Sequence, residues 1–283
     1  MTTGRLVPED GNRRISTGPA AHSRVLAAAA RRLLPVLFGA VVLAGQAPVP
    51  GVELREGAIV RGPVDRKQLA LVFTGHEFAE GGDAILDALG ARNVKASFFL
   101  TGVFLRNEAF APLVHRMVRE GHYVGAHSDE HLLYCPWEGP KTTLVTREQF
   151  ESDLTRNYER LARFGIARER APLYVPPYEW YNEEIAEWTR GLGLTLICHT
   201  RGTRSNADYT EEGTPQFVSS QAIFDSILRR EQEEPHGLSG FILLLHVGAG
   251  PGRTDKFHPR VGALVDVLRE RGYTFVRVDE LLR

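Results

Sequence analysis

From about residue 54 onward, short apolar runs alternate with longer amphipathic stretches, and no linker rich in Pro, Gly or Ser divides them. Residues 69–73 read as a buried strand, 84–89 as the apolar face of a helix and 96–100 as the next strand. A helix over 111–120, a strand over 122–126 and a helix over 150–164 follow. A short strand at 173–175 is stopped by Pro176-Pro177 and leads to a helix at 182–192 and a strand at 194–198. The pattern closes with a helix at 220–230, a strand at 241–245, a helix at 259–271 and a strand at 274–278. Repeated strand-helix alternation predicts a parallel sheet with helices outside it, as a barrel or a doubly wound sheet.

In such folds, functional groups gather where strands end and loops begin. Thr74-Gly75-His76-Glu77 follows the first strand, and His127-Ser128-Asp129-Glu130-His131 the third. Pro176-Pro177-Tyr178-Glu179-Trp180 follows the next, His199 another, and His246 ends the run 243–245. Five strand ends therefore bring polar or aromatic groups to one rim. His127 and His131, four positions apart, point the same way if the intervening residues make one helical turn, and neutral imidazole is a common zinc ligand. With ten histidines in the chain, that spacing alone is weak evidence, and the alternative is a pair of solvated or capping residues. His22, His115, His122, His236 and His258 lie off these strand ends, and His115 reads as a helix-surface residue.

A chain of 283 residues, 43% hydrophobic and 24% charged, is long enough to bury a sizeable core as one large domain or two small ones. The net charge of -1, without a basic stripe or an acidic tail, argues against nucleic acid or an anionic membrane as the main partner. The N-terminal segment differs from the rest. Arginines and small residues up to Arg31-Arg32 precede an apolar run at 33–44, then Gly45, Ala47 and Pro48, the order of a secretory signal. The run is short for a membrane span, so a retained anchor is the second reading, and Arg13-Arg14-Ile15-Ser16 loosely matches a twin-arginine signal. Residues 1–47 are thus expected to direct export, periplasmic or secreted, and 48–283 to form the catalytic domain. Cys135 and Cys198 allow one disulfide or two free buried thiols. Cys198 beside His199 is also weighed as a separate zinc site. Neither a Gly-rich phosphate loop nor a Gly-x-Ser-x-Gly nucleophile elbow is present.

In their order, these motifs resemble the polysaccharide deacetylases of carbohydrate esterase family 4, the NodB-homology domain, over roughly 69–282. Ala96-Ser97-Phe98-Phe99-Leu100-Thr101-Gly102 is similar to the family's second strand, His127-Ser128-x-x-His131 to its metal-binding motif and Pro177-Tyr178 to its third motif. Leu243-Leu244-Leu245-His246 resembles the last motif, with Leu244 lining the acetyl pocket and His246 as catalytic histidine. Asp208-Tyr209 falls near the acidic-aromatic pair that orients that histidine in the family. The resemblance implies a distorted, incomplete (β/α) barrel. It also implies a divalent ion, zinc first and cobalt or nickel as alternatives, that activates water to remove acetyl groups from a polysaccharide or oligosaccharide, as amide or ester.

The first motif departs from the family. Its two adjacent aspartates, a base and a metal ligand, would fall at Thr74 and Gly75, and the arginine that steadies the base is replaced by Val175. One reading fills the gap locally: His76 joins His127 and His131 at the metal, Glu77 is the base, and Glu179 and Asp208 are further candidate bases. The other reading is a domain that has lost catalysis and retains a glycan-binding groove. A different amide hydrolase, acting for instance on peptidoglycan, stands third. Tyr178, Glu179 and Trp180 are expected to contact substrate, with Trp137 and Tyr181 nearby to stack on sugar rings or simply to pack. Arg253-Thr254-Asp255-Lys256 offers a charge pair to seat His246 or to cap the helix that follows.

Overall fold

The computed structural model describes residues 51–283. Expectations for the leader at 1–47 fall outside them. An antiparallel pair, β1 (Glu53–Arg55) and β2 (Ala58–Arg61), comes first. Then β3 (Gln68–Gly75), α1 (Gly82–Gly90), β4 (Ser97–Leu100), α2 (Gly102–Arg106), α3 (Ala111–Arg119) and β5 (Tyr123–Ala126) follow. The remainder is α4 (Arg147–Ala162), β6 (Leu173–Tyr174), α5 (Glu183–Gly191), β7 (Thr195–Leu196), α6 (Ser220–Glu233), β8 (Ile242–His246), α7 (Val261–Glu270), β9 (Thr274–Phe275) and α8 (Val278–Leu281).

The sheet is parallel and runs β7-β6-β5-β4-β3-β8, with β9 added on β3. Its edges are joined only by bridges. Ile59 of β2 bridges Ile197 just past β7, Arg61 bridges Phe241 just before β8, and the Thr200 N–H reaches the Ile242 carbonyl at 3.0 Å. This is the incomplete barrel that the resemblance implies.

Side-chain alternation divides the core in two. Leu69, Leu71 and Phe73 of β3 face the helices with Phe98, Leu100, Val124, Ala126, Leu243 and Leu245. Ala70 and Val72 face the barrel interior with Phe99, Tyr123, Leu173, Val175, Ile197, Ile242 and Leu244. The interior packs against α8, whose Val278 N–H binds Ser97 Oγ at the start of β4, so that end is plugged. The opposite rim stays polar. Carried past the strand ends, the interior alternation arrives at His76, Thr101, His127, His199 and His246.

One sequence expectation changes, and one open alternative is decided. The last strand is shorter than 274–278, because the chain turns after Phe275 and Val278 begins a helix. Cys135 and Cys198 are both free and buried.

Candidate active site

The pentapeptide at 127–131 is not a helical turn. Ser128 (φ 70°) and His131 (φ 56°) lie in the left-handed region, which non-glycine residues seldom occupy. Tyr178 (φ 58°) and Glu179 (φ 51°) do the same on the neighbouring loop, so four of the six such non-glycine residues described border one site. Strained backbone of this kind persists only where surrounding contacts over-determine it.

Those contacts come from α4, which starts with a capping box between Thr146 and Gln149. One turn apart on its buried side, Asp153 accepts the N–H groups of Asp129 and Glu130 at 2.8 and 2.9 Å, and Asn157 accepts that of His127 at 3.1 Å. The Asn157 amide also donates to the Leu100 carbonyl, tying the loop to β4. Asp129 itself is fully buried and bonded by Arg106, Arg156 and Arg160 at 3.1, 3.4 and 2.5 Å. Burial would raise its carboxyl, but Arg160 and Arg106 outweigh that and hold it below the ordinary value. Gly102 is required beside it, since a Cβ there would meet Asp129 Oδ1 at 1.6 Å.

Held this way, the two imidazoles converge. His127 Nδ1 donates to the Val175 carbonyl at 2.9 Å, which leaves Nε2 as its lone-pair nitrogen. That Nε2 lies 3.3 Å from His131 Nε2. Burial lowers both rings, His127 to about 3 and His131 to about 2, so both are neutral. Two nitrogens bound to one tetrahedral zinc at about 2.0–2.1 Å would stand roughly 3.3–3.4 Å apart, so the pair fits one edge of such a site.

His76 stacks on His131 at 4.4 Å between ring centroids, with its Nδ1 3.1 Å from the Thr101 hydroxyl and Nε2 as the remaining donor. Burial lowers its pKa as well. Among the described residues, no three His, Cys, Asp or Glu side chains converge as a complete metal cluster. Glu77 is exposed and makes no side-chain hydrogen bond among the described residues. At the expected aspartate positions, Thr74 Oγ1 is buried without a partner, and a Cβ on Gly75 would meet Leu100 and Phe104 at 2.8–3.0 Å. A carboxylate at 75 has no room unless those side chains move.

Across the rim, His246 pairs in register with Thr74. Its Nδ1 donates to Asp208 Oδ1 at 2.6 Å, and its backbone N–H to Asp208 Oδ2 at 2.9 Å. Burial opposes its charge, yet Asp208 and then Glu179 outweigh it and raise the imidazole above its usual value. Burial pushes the Glu179 carboxyl up to about 7, against the pull of His246. Tyr209 covers His246 at 4.7 Å between centroids. Arg253, fully buried, donates to Ala207, Thr210 and Val218 carbonyls and so secures the loop that carries Asp208. Its sequence neighbour Asp255 instead accepts the Ser220 N–H at the start of α6.

Leu244 lies in the buried interior, two residues below His246. Tyr178 (45% exposed) rests on His131, and Trp137 (59% exposed) packs edge-on to Tyr178 and parallel to Trp180. Trp180 is half-buried under Lys141, and Tyr181 is buried. His199, half-buried, contacts Cys198 Sγ at 3.6 Å, and no third donor joins them among the described residues.

A family model described as polysaccharide deacetylase matches residues 61–197. A peptidoglycan-N-acetylglucosamine deacetylase of Bacillus cereus is 31% identical over 223 residues, 78% of this chain and 70% of the relative. The chain belongs to the polysaccharide deacetylase family. The family 4 carbohydrate esterase PdaA of Bacillus subtilis shares its fold at a TM-score of 0.61, with 22% identity, over 80% of this chain and 85% of that one. A family 4 pseudoenzyme from Bacillus anthracis shares it at 0.60, with 19% identity, over 81% and 70%.

Sequence reasoning did not find the supporting roles of Asp129, Asp153 and Asn157, and it left Arg253 open between seating His246 and capping a helix. The signal was available in part. Asp153 and Asn157 are polar residues on the apolar stripe Phe150-Leu154-Leu161 of α4, where a merely amphipathic helix has none.

Proposed function

We propose that this chain is an exported, metal-dependent deacetylase of an acetylated glycan. The observation that carries the reading is the pairing of two neutral imidazoles, 3.3 Å apart at Nε2, with an Asp208-anchored His246 on the same rim. His127 and His131 would hold a divalent ion with His76 as third donor, zinc fitting imidazole best and cobalt or nickel as alternatives. Bound there, such an ion would supply Lewis acidity toward an acetyl carbonyl and would lower the pKa of a water molecule.

The protein's own groups do the rest. A base is best placed with a pKa near the working pH, and Glu179, at about 7, meets that condition while Glu77 stands exposed in solvent. Glu179 therefore replaces Glu77 as the first candidate to take the proton from water, and Glu77 stays as second. His246, its pKa raised by Asp208, gives a proton to the leaving nitrogen or oxygen, so acetate and a free amine or hydroxyl result. Leu244 closes the apolar floor against the methyl group, and Tyr178 with Trp137 offers ring faces to the pyranose. Relatives named as peptidoglycan-N-acetylglucosamine and peptidoglycan-N-acetylmuramic acid deacetylases support peptidoglycan as the glycan.

The second reading, an inactive glycan binder, rests on Thr74 and Gly75, which put no carboxylate where the first motif expects two. Acetate release from acetylated chitooligosaccharides, acetylated xylan and peptidoglycan fragments, with added zinc or cobalt, separates the two. Release that is lost in His246→Ala supports the enzyme. Binding of the same glycans with no release by the wild type supports the binder.

A further inference from the structure

A cavity of about 230 Å³ opens where β2 closes the barrel between β7 and β8. Four arginines line it, Arg55, Arg61, Arg201 and Arg230, with Glu53 as the only acidic wall residue among the described residues. Arg61 and Arg230 share one counter-charge, Glu234, and Arg61 is further held by the Ser239 and Gly237 carbonyls. Arg55 and Arg201 are exposed and have no acidic partner within ion-pair distance among the described residues. Even with Glu234 counted, the walls carry a surplus of two positive charges. A concave, cation-rich wall with a low-dielectric floor focuses its field on an anion.

Two further details concern readiness for a ligand. The Arg230 Nε–H is buried without an acceptor, an orphan donor on the wall that leaves hydrogen-bonding capacity unused. Gly202 (φ 113°) faces it, and a Cβ there would stand 2.7 Å from that nitrogen, so the glycine leaves room at the guanidinium. The cavity also adjoins the rim loops through the backbone: the Arg55 carbonyl accepts from the Tyr181 hydroxyl at 3.0 Å, and Arg201 lies two residues beyond His199. Arg201, His246 and Arg55 all add to the burial that lowers His199 to about 4.

From this arrangement we infer that the arginine cavity is an anion subsite of the glycan groove, taking a carboxylate or phosphate substituent on the sugar chain being deacetylated. Arg55 and Arg201 supply the free charge, and paired Arg61 and Arg230 form the fixed back wall. Planar guanidinium groups suit both anions through forked hydrogen bonds. The inference deepens the deacetylase reading by naming an acidic glycan as its substrate class.

Calorimetric titration of the full chain tests it. The probes are a neutral N-acetylglucosamine oligomer, an oligomer of the same length in which N-acetylmuramic acid alternates and carries carboxylates, and inorganic phosphate. The wild type should bind the carboxylate oligomer about tenfold tighter than the neutral one, the scale of one charge-assisted contact. The double variant Arg55→Gln/Arg201→Gln should lose that preference and keep its affinity for the neutral oligomer, while Arg66→Gln, outside the cavity, keeps both. Equal affinities in the wild type, or a preference that survives the double variant, would overturn the inference. Phosphate that binds through Arg55 and Arg201 with no preference between oligomers would assign the cavity to a free anion and overturn the glycan assignment. Binding is read without turnover, so a chain that releases no acetate yet prefers the acidic oligomer defeats only the deacetylase reading.

Discussion

Asp208 grips His246 at two points, through the ring Nδ1–H at 2.6 Å and the backbone N–H at 2.9 Å. The double contact fixes both the tautomer and the orientation of the imidazole. Asp208→Asn keeps the shape but removes the charge that raises the histidine. The alkaline limb of the pH-rate profile should move to lower pH and kcat should fall by roughly 10²-fold or more, the scale of a general acid. An unchanged profile would remove His246 from the acid role.

Glu179 and His246 form an acid-base pair with opposed requirements. Activity needs Glu179 ionised, so it should rise through about pH 7, and needs His246 protonated, so it should fall above the raised pKa of that histidine. Glu179→Gln should abolish the rising limb, whereas Glu77→Gln should stay within a few-fold of wild type. The reverse result would return the base to Glu77.

Asp153→Ala removes the acceptor for two backbone N–H groups of the histidine loop, at Asp129 and Glu130. Each donor left unpaired in a buried setting costs about 1–3 kcal/mol. Denaturant unfolding should show a loss of that order, and affinity for zinc should fall with it, because His127 and His131 lose their shared support.

His122 lies at the opposite end of its strand from the site. Burial and nearby Lys95 lower it to about 4, and its Nε2 has no hydrogen-bond partner. Below pH 6.5 the unfolded chain takes up a proton that the folded chain refuses until about pH 4. Stability should therefore fall across that window by up to about 1.4 kcal/mol per pH unit from this group. His122→Asn should flatten the slope of unfolding free energy against pH in that window.

The strand-helix alternation was legible because a parallel sheet buried on both faces writes long apolar runs, as in Leu69-Ala70-Leu71-Val72-Phe73. Strand ends were legible for the same reason, and they located His76, His127 and His246. The pairing of His127 with His131 was also readable, but its cause was misjudged. Local spacing suggested a helical turn, whereas left-handed residues held by α4 bring the rings together. Asp153 stands out locally only as a polar residue on the apolar stripe of α4, and the N–H groups it supports lie 23 and 24 residues away at Glu130 and Asp129. Glu179 was readable as a candidate base, but its environment was not: burial raises its pKa, Asp208 adds to that and His246 opposes it, from segments that no sequence window contains.

Central to the proposed chemistry are the two imidazoles of the histidine loop, acting as one half of a metal site. Zinc titration of the metal-free chain, followed by X-ray absorption at the zinc edge, tests this directly. One tightly held zinc per chain with at least two imidazole nitrogens at about 2.0–2.1 Å, lost in both His127→Ala and His131→Ala, is the expected result. Zinc that fails to bind, or that binds equally well to both variants, would contradict it.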